Sequence, residues 1–390
     1  MPPASRSPAS RYDGTPVRAI YMLERVAEIV GDFEVPGTFE GAERIGSGHI
    51  NDTFAAWFRT DEGRKRILVQ HLNTEIFTEP AGLMENIVRV TSHLRDKLSA
   101  RHNGDLDRHV LRVIPTKSGA NHTEDDYGLW WRAYNFIERA KTYDTVESTE
   151  LAYQAAKAFG GFIADLADFP ADSLIETLPN FHNTPRRFEH LANAIREDSC
   201  GRVKAAEQEI RFALDRQQIV SRLIEMHERG LLPTRVTHND TKLNNVMICD
   251  DTGEGICVID LDTVMPGLSL YDFGDMVRTA TSRAAEDEED LDLVEVELEM
   301  FEALVAGFLE SAGGVLTHEE VEQLAFSGLL ITFEIGVRFL TDYLQGDPYF
   351  KIHHPDHNLV RARAQFKLAR SIEVAMQEMT AIVGRRLTLA

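Results

Sequence analysis

The densest chemistry in the chain lies between residues 236 and 262. There His238, Asp240, Lys242 and Asn245 fall in an H-x-D-x-K-x-x-N pattern, and Asp260 and Asp262 close the apolar run 256–259. The residue types between them predict a polar loop, a strand, a turn holding Gly253 and Gly255, and a second strand that runs into the two aspartates. Such a hairpin brings the loop before its first strand and the residues after its second to the same end, so Asp240, Asn245 and Asp260 are expected to converge. Two carboxylates and an amide gathered there supply hard oxygen ligands for a divalent cation and a general base. Phosphoryl transfer from a magnesium nucleotide calls for that set, because it depends on positioning and charge neutralisation more than on covalent chemistry. Asp262 falls on the same side of an extended chain as Asp260. It reads as a second metal contact or, like Asp260 in the plainer view, as a cap on the hairpin end.

The elements that must position these residues divide the chain in two. Val17, Ile20, Leu23, Val26 and Val30 recur at helical spacing. Strands are expected over 41–45, 51–58 and 66–72, the last two joined by the charged turn 60–63, followed by a helix over 79–99 and apolar runs at 109–115 and 128–137. From residue 143 the pattern becomes helical, over 145–167, 188–195, 205–229, 291–312, 317–343 and 361–380, and only the β-rich stretch 236–262 interrupts it. The boundaries expected are a flexible N-terminus over 1–15, a β-rich lobe over 16–137 and a larger helical lobe over 138–390, with a small-molecule cleft between the lobes. The acidic run 286–290 reads as the solvated start of a helix.

Composition narrows the function classes. Lys plus Arg is 41 and Asp plus Glu is 63, a formal charge of −22, which argues against nucleic acid or an anionic membrane as the main partner. Cys200, Cys249 and Cys257 are too few and too scattered for a disulfide framework, and no run of about 18 apolar residues is seen. A cytoplasmic, soluble protein is the expectation, with its oligomeric state open.

The string HNDTKLNNVM…CVIDLDTVMPGLSLYDFGD resembles the small-molecule branch of the protein-kinase-like superfamily, the aminoglycoside phosphotransferases and choline-kinase-like enzymes. Within that branch it is most similar to the N-acetylhexosamine 1-kinases. The resemblance covers about 236–278, with weaker matches at 45–52, 180–185 and 333–349. It implies an α+β, bilobal kinase-like fold, in which the first lobe binds ATP and the second carries catalysis and the acceptor. It also implies Mg2+ and a sugar acceptor phosphorylated at its anomeric hydroxyl. Asp240 would accept or orient the hydroxyl proton, Lys242 would steady the transferring phosphoryl, and Asn245 and Asp260, with Asp262, would hold the metal. The triplet Asp272-Phe273-Gly274 imitates the kinase metal-binding motif but lies 32 residues past Asp240, and Asp272 is read as a brace for the catalytic loop.

In the first lobe the resemblance assigns Gly46, Ser47 and Gly48 to a turn that covers the phosphates. His49 in that turn reads as an acceptor contact or as a plain turn residue. Where the kinase pattern carries a third-strand lysine this chain has Gln70, which can bond phosphate but brings no charge. Lys65, Arg66 and Arg89 are candidates for the missing charge, and Glu85 is left without its usual lysine partner. Glu138, at the lobe boundary, is the candidate for backbone contact to the adenine edge. Phe181, Arg338 and Tyr349 are the acceptor candidates. Arg338 can instead make a structural salt bridge, and Tyr349 can simply pack. The alternatives are another small hydroxyl acceptor, such as an aminoglycoside or choline, a non-catalytic pseudokinase, and a two-carboxylate glycosidase that would leave Asn245 unexplained.

Overall fold

A computed structural model describes residues 16–46, 50–101 and 105–387 of the chain, which divides into two compact units, Met1–Glu138 and Arg139–Ala390. In the first, α1 (Pro16–Ile29) precedes β1 (Thr38–Arg44), β2 (Asp52–Thr60), β3 (Gly63–Leu72), α2 (Pro80–Leu98), the short α3 (Leu106–His109), β4 (Thr123–Glu124) and β5 (Trp130–Asn135). The strands form one antiparallel sheet in the order β1-β2-β3-β5-β4. Alternation decides its faces: Phe54, Ala56, Phe58, Val69, Trp131 and Ala133 point one way, into a core closed by Met22, Val26 and Ile29 of α1. β2 and β3 pair up to Thr60 and Gly63, so the charged hairpin turn is tighter than expected. The run 109–115 is not a strand. It makes one bridge, Val113 with Tyr134, because β4 already occupies part of that edge of β5 and Pro115 has no N–H to extend the ladder.

The second unit holds β6 (Ala140–Lys141), α4 (Thr149–Asp165), α5 (Thr184–Glu197), α6 (Glu207–Leu214), α7 (Arg222–Glu228), β7 (Arg235–Thr237), β8 (Val246–Cys249), β9 (Gly255–Val258) and β10 (Met265–Gly267). It continues through α8 (Ser269–Ala280), α9 (Leu298–Ala312), α10 (His318–Glu322), α11 (Leu324–Gln345) and α12 (His357–Leu387). β8 and β9 form the expected hairpin, flanked by β6, and β7 pairs with β10. α11 is long and apolar enough to cross a membrane by length and composition, yet 94% of its apolar window is buried, as in a core helix. The β-rich first part and helical second part expected from the sequence are what the chain adopts.

Three expected helices differ in ways that tertiary contacts explain. The segment 205–229 breaks into α6 and α7, where Arg216 takes the Phe212 carbonyl (2.9 Å) and both oxygens of Glu373 on α12 (2.8 and 2.7 Å). The segment 317–343 splits at Gln323 into α10, which carries a Thr317–Glu320 capping box, and α11. The acidic run 286–290 starts no helix: Glu286 is drawn to Arg278 (2.9 Å), Asp287 to His357 (2.9 Å), and Asp290 caps a single turn ahead of α9.

Candidate active site

The loop after β7 is held from every side. Asn239 sits in the left-handed region (φ +66°), which asparagine tolerates better than most residues. Its Oδ1 accepts from Thr237 Oγ1 (3.1 Å) and its Nδ2 donates to the Thr263 carbonyl (2.8 Å). Asp272, in the first turn of α8, accepts from the N–H groups of His238 (2.9 Å) and Asn239 (2.7 Å). One turn on, Asp275 accepts from the N–H of Thr241 (3.0 Å) and holds Arg278 (2.7 Å). His238 is fully buried between the ring edges of Phe159 and Phe162; its Nδ1 accepts from the Asp240 N–H (3.3 Å), so Nε2 donates to the Ile259 carbonyl (2.9 Å).

Asp272 is thus the expected brace. Burial pushes its carboxyl up to about 6, against the pull of His238 and the two backbone donors. The rest of its triplet is packing: Phe273 is fully buried, and a Cβ on Gly274 would stand 2.5 Å from the Ser327 carbonyl oxygen of α11. Glycine there lets α8 and α11 approach.

On this scaffold Asp240 is half-buried, with Asn245 Nδ2 donating to its carbonyl (2.8 Å) and to Oδ2 (3.1 Å) and Lys242 Nζ 3.2 Å from Oδ2. The Asn245 carbonyl accepts from the Ile259 N–H (2.9 Å), which brings Asp260 to the same end of the hairpin. The charges of Asp240, then Asp275 and Asp260, hold the Lys242 ammonium above its usual value. Asp260 and Asp262 do not share a side of an extended strand as the sequence reading has it. β9 ends at Val258, Asp260 is exposed at φ +59°, and the next three residues form a helical turn that buries Asp262. Among the described residues no three His, Cys, Asp or Glu side chains are grouped to hold a metal by themselves.

A second cluster hangs from the same loop. His182, just before α5, meets the Asn239 carbonyl with Nε2 (3.2 Å) and Glu334 Oε1 with Nδ1 (2.9 Å), while Thr184 donates to Glu334 Oε2 (2.6 Å). Burial would raise the Glu334 carboxyl, but the charge of His182 and these hydrogen bonds hold it below the usual range. Four residues further along α11, Arg338 lies over the rings of Phe181 (5.3 Å), Phe350 (5.5 Å) and Tyr349 (5.9 Å). Asp342 fixes that aromatic loop by accepting from the N–H groups of Tyr349 and Phe350, both at 2.9 Å. The three acceptor candidates are therefore neighbours. Glu334 has both oxygens engaged, and among the described residues no carboxylate lies within ion-pair distance of Arg338, so the structural salt bridge does not form.

Arg187, absent from the sequence reading, joins this cluster. Its Nη2 donates to the Phe181 carbonyl (3.0 Å), its buried Nε has no hydrogen-bond partner among the described residues, and burial and then the like charge of Arg338 hold it below its usual value. His182 and Glu334 were also missed as a tether, although an acid inside the apolar run of α11 signals a buried polar partner.

The first-unit candidates are placed as follows. Gly46 has φ +77°, which favours glycine, while Ser47, Gly48 and His49 lie outside the described residues. Gln70 has its amide engaged at both ends, Nε2 to Thr53 Oγ1 (3.0 Å) and Oε1 from Arg132 Nε (3.1 Å). Lys65 pairs with Glu62 (2.5 Å) and Arg89 lies 3.9 Å from Glu85. Glu138 takes Arg66 in a two-pronged pair (2.9 and 2.8 Å), and its carbonyl accepts from Arg108 Nε (3.2 Å).

Residues 41–305, well over half of the chain, match the family model described as the phosphotransferase enzyme family, APH. Among solved structures, the chain is similar to an aminoglycoside phosphotransferase from Alicyclobacillus acidocaldarius (12% identity, 92% of this chain and 96% of that one, TM-score 0.59). It is also similar to a spectinomycin phosphotransferase (14%, 93% and 99%, TM-score 0.52) and to a choline kinase from Cryptosporidium parvum (14%, 91% and 97%, TM-score 0.53). Identities this low speak for the fold, and the family match covers both the sheet and the catalytic loop. The chain belongs to the phosphotransferase enzyme family and has the kinase-like α+β fold of its small-molecule phosphotransferases.

Proposed function

We propose that this phosphotransferase moves the γ-phosphoryl group of ATP to the anomeric hydroxyl of an N-acetylhexosamine, GlcNAc or GalNAc, to give the sugar 1-phosphate and ADP. A nucleotide donor is supported by the similar spectinomycin phosphotransferase, whose structure holds ADP. In this reading Asp240 takes the hydroxyl proton as the sugar oxygen bonds to phosphorus and the bond to the ADP oxygen breaks. Asn245 and Lys242 both bear on Asp240 Oδ2, which leaves Oδ1 to face the acceptor. Mg2+ would be held by Asn245 through Oδ1, since Nδ2 is committed to Asp240, and by Asp260 and Asp262. Two carboxylates and an amide fit an ion that draws its other ligands from phosphate and water, and it would neutralise the transferring phosphoryl.

The observation that carries the acceptor class is the cluster of Arg338 and Arg187 beside Phe181, Tyr349 and Phe350. Aromatic faces suit the C–H faces of a pyranose, and guanidinium N–H groups suit hydroxyl and acetamido oxygens. Two cations with no carboxylate in ion-pair distance among the described residues disfavour a cationic acceptor, which ranks choline and the aminoglycosides behind a sugar. The test is ATP consumption with Mg2+ against GlcNAc, GalNAc, glucose, galactose, choline and kanamycin. Turnover confined to the N-acetylhexosamines supports the reading, and turnover only on a cation overturns the acceptor.

A further inference from the structure

The cluster around Arg338 departs from the way this unit treats other arginines. Arg216, Arg235 and Arg278 each meet a carboxylate at 2.6 to 2.7 Å. Arg338 meets the rings of Phe181, Phe350 and Tyr349 instead, and among the described residues no hydrogen bond or ion pair engages its fork. Arg187 reaches the same place from α5. Its Nη2 is spent on the Phe181 carbonyl (3.0 Å), the backbone of the residue whose ring lies under Arg338. Its Nε is buried with no hydrogen-bond partner among the described residues, and burial, then the like charge of Arg338, hold the guanidinium below its usual value.

The charge of Glu334 is felt by both arginines, but its two oxygens are turned to His182 (2.9 Å) and Thr184 (2.6 Å). One negative charge against two positive ones leaves the cluster cationic, in a chain whose formal charge is −22. The cluster is also open: Tyr349 is 58% exposed, and both arginines are half-buried. A guanidinium stays charged at any working pH, so two of them side by side and partly out of water repel. An anion within reach of both relieves that cost, and the planar fork suits the oxygens of a carboxylate or a phosphate. Hydroxyl and acetamido oxygens accept the same N–H groups but bring no charge.

We propose that this site takes an acidic N-acetylhexosamine, one carrying a carboxylate or phosphate group away from C1, in preference to GlcNAc or GalNAc, and that Arg187 and Arg338 hold the acidic group between them. The aromatic rings then carry the sugar, and the two guanidinium groups set which sugar is favoured. This inference rests on the reading of the cluster as the acceptor site.

The test is kcat/KM of the full-length protein with ATP and Mg2+ for four acceptors: GlcNAc, N-acetylglucosaminuronic acid, GlcNAc 6-phosphate and GlcNAc bearing a lactyl ether at O3. The three acids separate carboxylate from phosphate and one ring position from another. At least one acid is expected to exceed GlcNAc roughly 10- to 100-fold, the range of a charge-assisted hydrogen bond, with the advantage shrinking as salt is added. Arg187→Met should bring the ratio of acid to GlcNAc down towards one, while Arg187→Lys, which keeps the charge, should retain most of it. An arginine that only supports the loop would lower all four acceptors together and leave the ratio where it was. Calorimetry with the methyl glycosides, blocked at C1, repeats the comparison without turnover. Wild type that phosphorylates GlcNAc at least as well as all three acids, or a folded Arg187→Met protein with an unchanged ratio, would overturn the proposal and leave the sugar kinase standing. If none of the four sugars were phosphorylated, the acceptor reading itself would fall first, and this inference with it.

Discussion

The loop around Asp240 and the cluster around Arg338 meet at a hydrogen bond from His182 to the Asn239 carbonyl, yet they are built on opposite principles. Around Asp240, side chains from α8, the turn just before β8 and the turn after β9 satisfy the loop's N–H and carbonyl groups, and two buried aspartates lie underneath. Around Arg338, its guanidinium lies over aromatic rings, and the neighbouring Arg187 keeps a buried Nε with no hydrogen-bond partner among the described residues. In the proposed function the loop holds the base, and a group that must be placed to a fraction of an ångström calls for such an over-determined support. In the same proposal the cluster takes up the acceptor, and donors held in reserve for a ligand carry an electrostatic cost until it arrives.

Substitutions break that contrast in a definite order. Asp240→Asn removes the proposed base and leaves the clamps, so turnover should fall by about 10²- to 10⁴-fold with nucleotide affinity retained, as single-turnover kinetics and calorimetry would read. Asp272→Ala removes the acceptor of two buried N–H groups and should cost about 2–4 kcal/mol of stability by denaturant unfolding, with activity lost alongside. An Asp272→Ala protein as stable as the wild type would mean that the loop is not over-determined. Arg338→Ala should act on the other region alone: acceptor KM rises roughly tenfold or more, kcat changes little, and stability holds or improves as like charge is relieved.

The smallest effect expected is a pH dependence. The Asp272 carboxyl titrates near 6 in the fold and near 3.8 in an ordinary setting, so ionising it costs more in the folded state. Its contribution to stability is full below about 4, declines as pH rises towards 6, and stays lost above that. The stability lead of the wild type over Asp272→Asn should therefore be greater at pH 4.5 than at pH 7, by up to about 2 kcal/mol in thermal unfolding. A constant gap would show that the two backbone donors fully offset burial.

The same contrast explains what could be read from the chain. The catalytic hairpin was legible because its geometry is local: spacing, two strands and a turn put Asn245 and Asp260 together, and Ile259 bonds Asn245 as an antiparallel pair must. The sheet was legible for the same reason, by alternation in β2 and β3. What failed was long-range. Nothing near Arg187 in sequence announces Arg338, which lies some 150 residues on, and the relation of Gln70 to Arg132 exists only through the β3–β5 register. The acidic run 286–290 misled because its partners, Arg278 and His357, come from other elements. The Asp260–Asp262 relation failed because a left-handed residue ends the strand rule between them.

The central claim is that Asp240 serves the transfer of a phosphoryl group to a sugar hydroxyl. The most direct measurement follows ATP, Mg2+ and GlcNAc or GalNAc labelled with carbon-13 at C1, by phosphorus and carbon NMR, with wild type and Asp240→Asn side by side. The account predicts a sugar phosphate with phosphorus coupled to the labelled carbon in the wild type and none on the same timescale in the variant. A product without that coupling, or equal turnover by Asp240→Asn, would contradict it.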